Sequence, residues 1–154
     1  MLLAAGLGTR MRPLTDNHPK PLIVAGGKTL LDHNLDQLVA AGVEEVVINV
    51  HYLADQIEAH CKMRQAPRIL ISDERAGLLD SGGGVRKALP HLGDDPFFCL
   101  NADTIFIDGP RSNIVRMAEE FDSDTMDILL LVAPTVTTIG WGNKGDFLMH
   151  QDGR

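Results

Sequence analysis

From end to end, short apolar runs alternate with amphipathic stretches, the pattern of βαβ units whose parallel strands are covered on both faces. The chain therefore reads as an α/β fold, a Rossmann-like, mostly parallel sheet flanked by helices. Residues 1–5, "MLLAA", make a buried first strand, and Pro13, Pro19 and Pro21 keep the following "GLGTRMRPLTDNHPKPL" a loop. After the turn "AGGK", Thr29 caps a helix that carries Leu31, Leu35, Leu38 and Val39 and stops at Gly42. "VEEVVINV" is the second strand, "LADQIEAHC" lies in the second helix, and "RILIS" is the third strand. "LLDSGGGVRKALPHL" reads as a glycine turn opening a short helix that ends before Pro90. "PFFCLNAD" is a fourth strand, "RSNIVRMAEEF" a helix and "DILLLVAP" a fifth strand. The glycine-rich "IGWGNKGDF" loop then precedes a last strand at residues 147–150. No repeat or linker divides residues 1–154, so one domain is expected.

Composition narrows the partners. The net charge of −7 argues against a nucleic-acid surface, because a polyanion needs a basic footprint. No window approaches the roughly 20 apolar residues of a membrane span. The opening "MLLAA" is too short for a signal sequence and follows no basic region, so a cytoplasmic location without a membrane partner is expected. Cys61 and Cys99 form no C-x-x-C pair and read as reduced, buried thiols.

Within this acidic chain, Arg10, Arg12 and Lys20 face only Asp16 in the stretch that follows the first strand. Gly6 and Gly8 let the backbone turn sharply and approach a ligand, so that successive N–H groups can line a nest for phosphate oxygens. Arg10 adds a planar, permanently charged fork, and Lys20 is presented from the stiff "PKP" segment. The spacing is neither a P-loop nor a dinucleotide fingerprint. In open α/β sheets ligands collect beyond the carboxyl ends of the strands, which directs attention to "SDE" and "NAD" as well. Asp103, at the end of "FCLNAD", either ligates a hard cation such as Mg²⁺ or caps the next turn. Glu74 either accepts hydrogen bonds from a base edge or stays a solvated loop carboxylate. "DSGGGV" either lets the backbone pass close to a planar base or opens a helix with Ser81 as its cap. The histidines lack zinc-site spacing, and no G-x-S-x-G elbow is present.

Together, "LAAGLGTRMRPLT", "PKPL", "LDSGGGVRKAL" and "LNAD" resemble the sugar-1-phosphate nucleotidyltransferases, whose first motif has the form G-x-G-T-R-[LM]-x-P-L-T followed by K-P. The resemblance spans essentially the whole chain and implies the nucleotide-diphospho-sugar transferase type of fold. Within that family the triple glycine and "KGDF" look most like the branch that uridylylates N-acetylmuramate 1-phosphate, with mannose-1-phosphate guanylyltransferases second. The reaction so implied is attack by a sugar 1-phosphate on the α-phosphorus of an NTP, with UTP the favoured donor and GTP the second, and with Mg²⁺ as cofactor.

The resemblance also implies residue roles. The nucleotide would lie against Leu3, Ala4, Ala5, Gly6, Gly8, Thr9 and Arg10, with Lys20 at the α-phosphate and Glu74, Gly82 and Gly83 beside the base. Arg10, Lys20 and Asp103 would carry catalysis, Asp103 would bind Mg²⁺, and Asn101 and Asp146 would face the sugar phosphate. Members of the family normally run well beyond this length and carry a second metal-binding aspartate later in the chain. A C-terminally truncated chain is therefore expected, with self-association through an uncovered sheet edge.

Overall fold

The computed structural model describes residues 1–137, 139 and 144–150, and the chain divides into two units, Met1–Arg116 and Met117–Arg154. In chain order the first unit holds β1 (Leu2–Leu3), the antiparallel pair β2 (Val24–Ala25) and β3 (Lys28–Thr29), α1 (Leu30–Ala40) and β4 (Glu45–Val50). It continues through α2 (Ala54–Lys62), β5 (Arg68–Asp73), α3 (Asp80–Leu92) and β6 (Leu100–Asn101), and the division falls inside α4 (Asn113–Glu120). Four strands make one parallel sheet in the order β5-β4-β1-β6. The mostly parallel α/β expectation is met. Among the described residues no helix is long and apolar enough to cross a membrane.

Alternation along β4 separates the two faces of the sheet. Val46, Ile48 and Val50 pack with Leu2, with Leu31, Leu35 and Leu38 of α1 and with Ile57 of α2, and all eight are essentially inaccessible to solvent. Val47 points the other way, into a second cluster with Met1 and with Ala88 of α3. Helices thus cover both faces, and burial of each such side chain stabilises the fold by about 1.5–3 kcal/mol. The register sets Leu3 of β1 level with Asn49 of β4 and Asn101 of β6, and Asn49 level with Ser72 of β5. These positions form a ledge near the carboxyl end of the sheet.

The start of α1 is fixed locally. The Thr29 hydroxyl accepts from the Asp32 backbone N–H at 3.0 Å and donates to the Asp32 carboxylate at 2.8 Å. Asp32 also meets His60 at 3.0 Å and Arg64 at 2.7 Å, and Arg64 reaches Asp36 at 2.7 Å. Burial opposes ionisation of Asp32, yet hydrogen bonds from His60, Thr29 and Arg64 outweigh it and hold the carboxyl below its usual range. The Lys28 hydrogen bond, helped by Arg64 against a burial penalty, lowers Asp36 in the same way. Burial first, then the negative charge of Asp32, pushes the Cys61 thiol up to about 11.

Several expectations are corrected. The first strand pairs only at Leu2–Leu3, because the Ala4 N–H is taken by the Asn49 side chain at 2.8 Å instead of by a strand. The expected turn at "AGGK" is borne out, and it closes the β2/β3 hairpin, with Gly26 and Gly27 at φ 61° and 85°. α3 begins ahead of the glycines, so Ser81 lies inside the helix rather than capping it, and α3 runs past Pro90. Packing of Ala88 against the sheet outweighs the one helical bond that Pro90 removes in the last turn. The fourth strand contracts to Leu100–Asn101, and Cys99, just ahead of it, is exposed rather than buried.

In the second unit "DILLLVAP" forms no strand, and Ile128, Leu130, Leu131 and Val132 are exposed. Residues 147–150 are not a strand either. β propensity describes how a side chain fits a pleated, partnered surface, and no partner strand stands beside these segments among the described residues. Part of the "IGWGNKGDF" loop lies outside the described residues.

Candidate functional site

Beyond the carboxyl end of the sheet the first unit encloses a cavity of about 530 Å³, within the range of small-molecule sites. Its floor is the end of β1 and the polar ledge, with Leu3, Ala4, Ala5, Asn49 and Asn101 lining it. Gly6, Arg10 and Lys20 enter from the first loop, and Asp103 and Thr104 from the segment after β6. Leu78, Asp80 and Ser81 close the side where α3 begins. Asp80 holds φ 57°, a left-handed conformation that aspartate tolerates better than most side chains.

The first loop is held by bonds that bypass regular structure. Thr15 donates its hydroxyl to the Gly8 carbonyl at 2.8 Å. The Tyr52 phenol lies 3.0 Å from the Thr15 carbonyl and 2.9 Å from that of Asp16, and Gln56 of α2 donates to the Asn17 carbonyl at 3.1 Å. Gly8 is at φ 64°, and a Cβ there would come within 3.0 Å of the Thr15 methyl and 3.3 Å of the Lys20 Cβ. A side chain at that position would crowd Thr15 and Lys20 together.

Lys20 leaves the loop on a 3₁₀ turn, Lys20–Leu22, and its ammonium pairs with the Asp103 carboxylate. Both side chains are partly buried, at 25% and 31% exposure, so the charges interact more strongly than a pair in open solvent. Arg10, exposed at the rim, forms no ion pair with any described residue. The segment that bears Asp103 is tied to α1. Asn34 Nδ2 donates to the carbonyls of Ala102 at 3.4 Å and Thr104 at 3.0 Å, and Gln37 Nε2 donates to that of Phe106 at 2.6 Å.

Of the residues singled out in the sequence, Leu3, Ala4, Ala5, Gly6, Arg10, Lys20, Asn101 and Asp103 line this one cavity. Gly8 and Thr9 shape its loop without lining it. Glu74 does not face it: fully buried, it accepts from Asn49 Nδ2 at 2.8 Å and from the Leu79 N–H at 3.2 Å. It thereby ties the end of β5 to the start of α3. The glycine that demands closeness is Gly84, where a Cβ would lie 2.7 Å from Asn49 Nδ2 and 2.8 Å from Glu74 Oε1. A Cβ at Gly83 would meet Leu79 at 2.9 Å, and one at Gly82 would meet open space. Asp146 lies exposed in the second unit. Sequence reasoning missed Asn49 and Asp80, signalled only by a polar residue interrupting "VVINV" and an aspartate ahead of three glycines, and gave no role to Tyr52, although "HYL" follows the second strand where ligands collect.

Comparison with known proteins follows the same lines. The family described as "MobA-like NTP transferase domain" matches residues 1–137. An N-acetylmuramate alpha-1-phosphate uridylyltransferase of Caulobacter vibrioides is 48% identical over 157 residues, covering 99% of this chain and 65% of that protein. The mannose-1-phosphate guanylyltransferase catalytic subunit beta of Xenopus tropicalis is 39% identical over 120 residues, covering 75% of this chain and 33% of that one. The chain thus spans about two-thirds of the first relative's length and one-third of the second's. Among solved structures, HddC from Yersinia pseudotuberculosis, complexed with GMP-PN, superposes with a TM-score of 0.59 at 28% identity, over 68% of this chain and 47% of that one.

Proposed function

This chain belongs to the MobA-like NTP transferase domain family, and from that membership we propose that it transfers a nucleotidyl group from an NTP to a sugar 1-phosphate and releases pyrophosphate. UTP and N-acetylmuramate 1-phosphate are the favoured pair, because the Caulobacter relative that aligns with 99% of the chain is named for that transfer. GTP with mannose 1-phosphate is the second reading, favoured by the Xenopus relative. The setting is the cytoplasm. The observation that carries the proposal is the convergence of Arg10, Lys20 and Asp103 on one cavity below the glycine loop.

A sugar 1-phosphate is already ionised, so its attacking oxygen needs no protein base. A bond forms from that oxygen to the α-phosphorus, the bond from the α-phosphorus to its bridging oxygen breaks, and pyrophosphate departs with the electron pair. The chain's task is to hold two mutually repelling polyanions in line and to offset charge where it develops. Arg10 offers a fork to the outer phosphates, and Lys20 a point charge to the α-phosphate. Asn101, on the ledge, faces the sugar phosphate. The base lies by Ser81 and Gly82, where α3 begins.

The donors present fit Mg²⁺. Asp103 and Asp80 both line one cavity, and among the described residues no group of three or more histidine, cysteine or carboxylate side chains could hold a metal alone. A cation that takes one or two protein carboxylates and fills its shell with phosphate oxygens and water suits such a site, with Asp103 as its holder. When bound, Mg²⁺ neutralises phosphate charge.

The test is pyrophosphate release from a panel of NTPs and sugar 1-phosphates with Mg²⁺. UTP with N-acetylmuramate 1-phosphate is expected to react fastest. Nucleotide binding with no release from any pair would replace the transferase reading with a nucleotide-binding regulatory module.

A further inference from the structure

The core-facing stripe of α1 carries Leu31, Asn34, Leu35 and Leu38, all at most 1% exposed. Asn34 is the polar member of that stripe, and its presence has a cost. Its Oδ1 is buried without a partner among the described residues, a situation that destabilises a fold by about 1–3 kcal/mol. The opposite end of the amide is fully used. Nδ2 donates to the Leu30 carbonyl of its own helix at 2.9 Å and to the carbonyls of Ala102 and Thr104 at 3.4 and 3.0 Å. Reversing the amide would set an oxygen against three carbonyl oxygens, so the orientation is fixed by its neighbours.

Ala102 and Thr104 are the residues on either side of Asp103. Ala102 is fully buried and its N–H joins the Leu3 carbonyl at 3.1 Å. The Asp103 backbone is therefore held between two carbonyls that one buried amide grips, while its carboxylate reaches Lys20 in the cavity. We propose that Asn34 is a positioning residue that sets the Asp103 carboxylate for a divalent cation. The inference rests on the nucleotidyl-transfer reading of the cavity. Asn34 touches neither substrate nor metal; it acts through the backbone on both sides of the metal-holding carboxylate, as outer partners of metal ligands do.

The experiment uses the intact protein and Asn34→Leu, which keeps the size of the side chain and removes the donors. Asn34→Ser is the second variant, in case leucine prevents folding, because its smaller side chain leaves room for water to reach the carbonyls. Mn²⁺ binding is titrated by electron paramagnetic resonance with UTP present and no sugar phosphate, and UTP binding is measured separately without metal; both are normalised to the folded fraction. The expected result is Mn²⁺ affinity lower by about tenfold or more, with metal-free UTP binding unchanged and a raised Mg²⁺ requirement for pyrophosphate release. Unchanged Mn²⁺ affinity per folded molecule, or an equal loss of metal-free UTP binding, would overturn the assignment. In those cases the unmodified protein still binds Mn²⁺ and UTP, and only the role of Asn34 falls. An unmodified protein that binds neither removes the nucleotidyl-transfer reading and this inference together.

Discussion

Lys20 and Asp103, 83 residues apart in the chain, pair their charges at the mouth of a single cavity. The two groups proposed to meet the α-phosphate and the metal therefore neutralise each other before any ligand arrives. A cation approaching Asp103 alone must displace an ammonium, and a phosphate approaching Lys20 alone must displace a carboxylate. Arrival of both exchanges one ion pair for two. Lys20→Ala is therefore expected to strengthen Mn²⁺ binding in the absence of nucleotide, measured by paramagnetic resonance. An unchanged or weaker affinity would count against the exchange.

The same pair sets the expected cost to turnover. Lys20→Ala and Asp103→Ala each remove one preorganised electrostatic contact and should lower the rate by roughly a hundredfold or more. Steady-state pyrophosphate release by folded variants checks this, and near-normal rates would take these residues out of the mechanism.

Tyr52→Phe removes only the hydroxyl that fastens the first loop at Thr15 and Asp16. One such hydrogen bond is worth about 1 kcal/mol. The KM for the NTP should rise about fivefold, the factor equivalent to that energy, with kcat little changed. A fall in kcat at constant KM would point to a role in the chemical step.

Gly84→Ala drives a methyl into Asn49 and Glu74 at 2.7–2.8 Å. Neither partner is a flexible chain end, since both are buried and bonded to each other. Loss of about 1–3 kcal/mol is expected in urea unfolding, whereas Gly82→Ala, which meets open space, should cost less.

Acid sensitivity follows from Asp32 and Asp36. Both carboxyls sit below their ordinary values in the folded state, so their contribution is fully present above the unfolded value of about 4 and is lost as pH falls through the lower folded values. Arg64→Leu deprives both of a partner. It should reduce stability at pH 7 by about 2 kcal/mol and flatten the decline below about pH 4, as read from urea midpoints across pH.

What the sequence made legible was what is chemically local. Thr29 caps α1 through the residue three places on, Gly42 ends the helix at φ 87°, and the glycines, prolines and cations of the first loop lie in one continuous stretch. Distant partners were not legible. Glu74 follows a strand, as a ligand residue would, but its burial depends on Asn49 and Leu79. The residues of "DILLLVAP" suit a strand by composition, yet a strand exists only beside another. Asn34 sits within a leucine stripe, and nothing local to α1 announces that its amide reaches Ala102 and Thr104. α3 runs through its glycines, and close approach to Asn49 and Glu74, rather than helix propensity, decides residue 84.

The level alignment of Ser72, Asn49, Leu3 and Asn101 across four parallel strands ties that shelf to backbone pairing and not to the side chains above it. Substitutions in the segments after β1, β5 and β6 that leave the pairing intact should therefore leave the shelf in place.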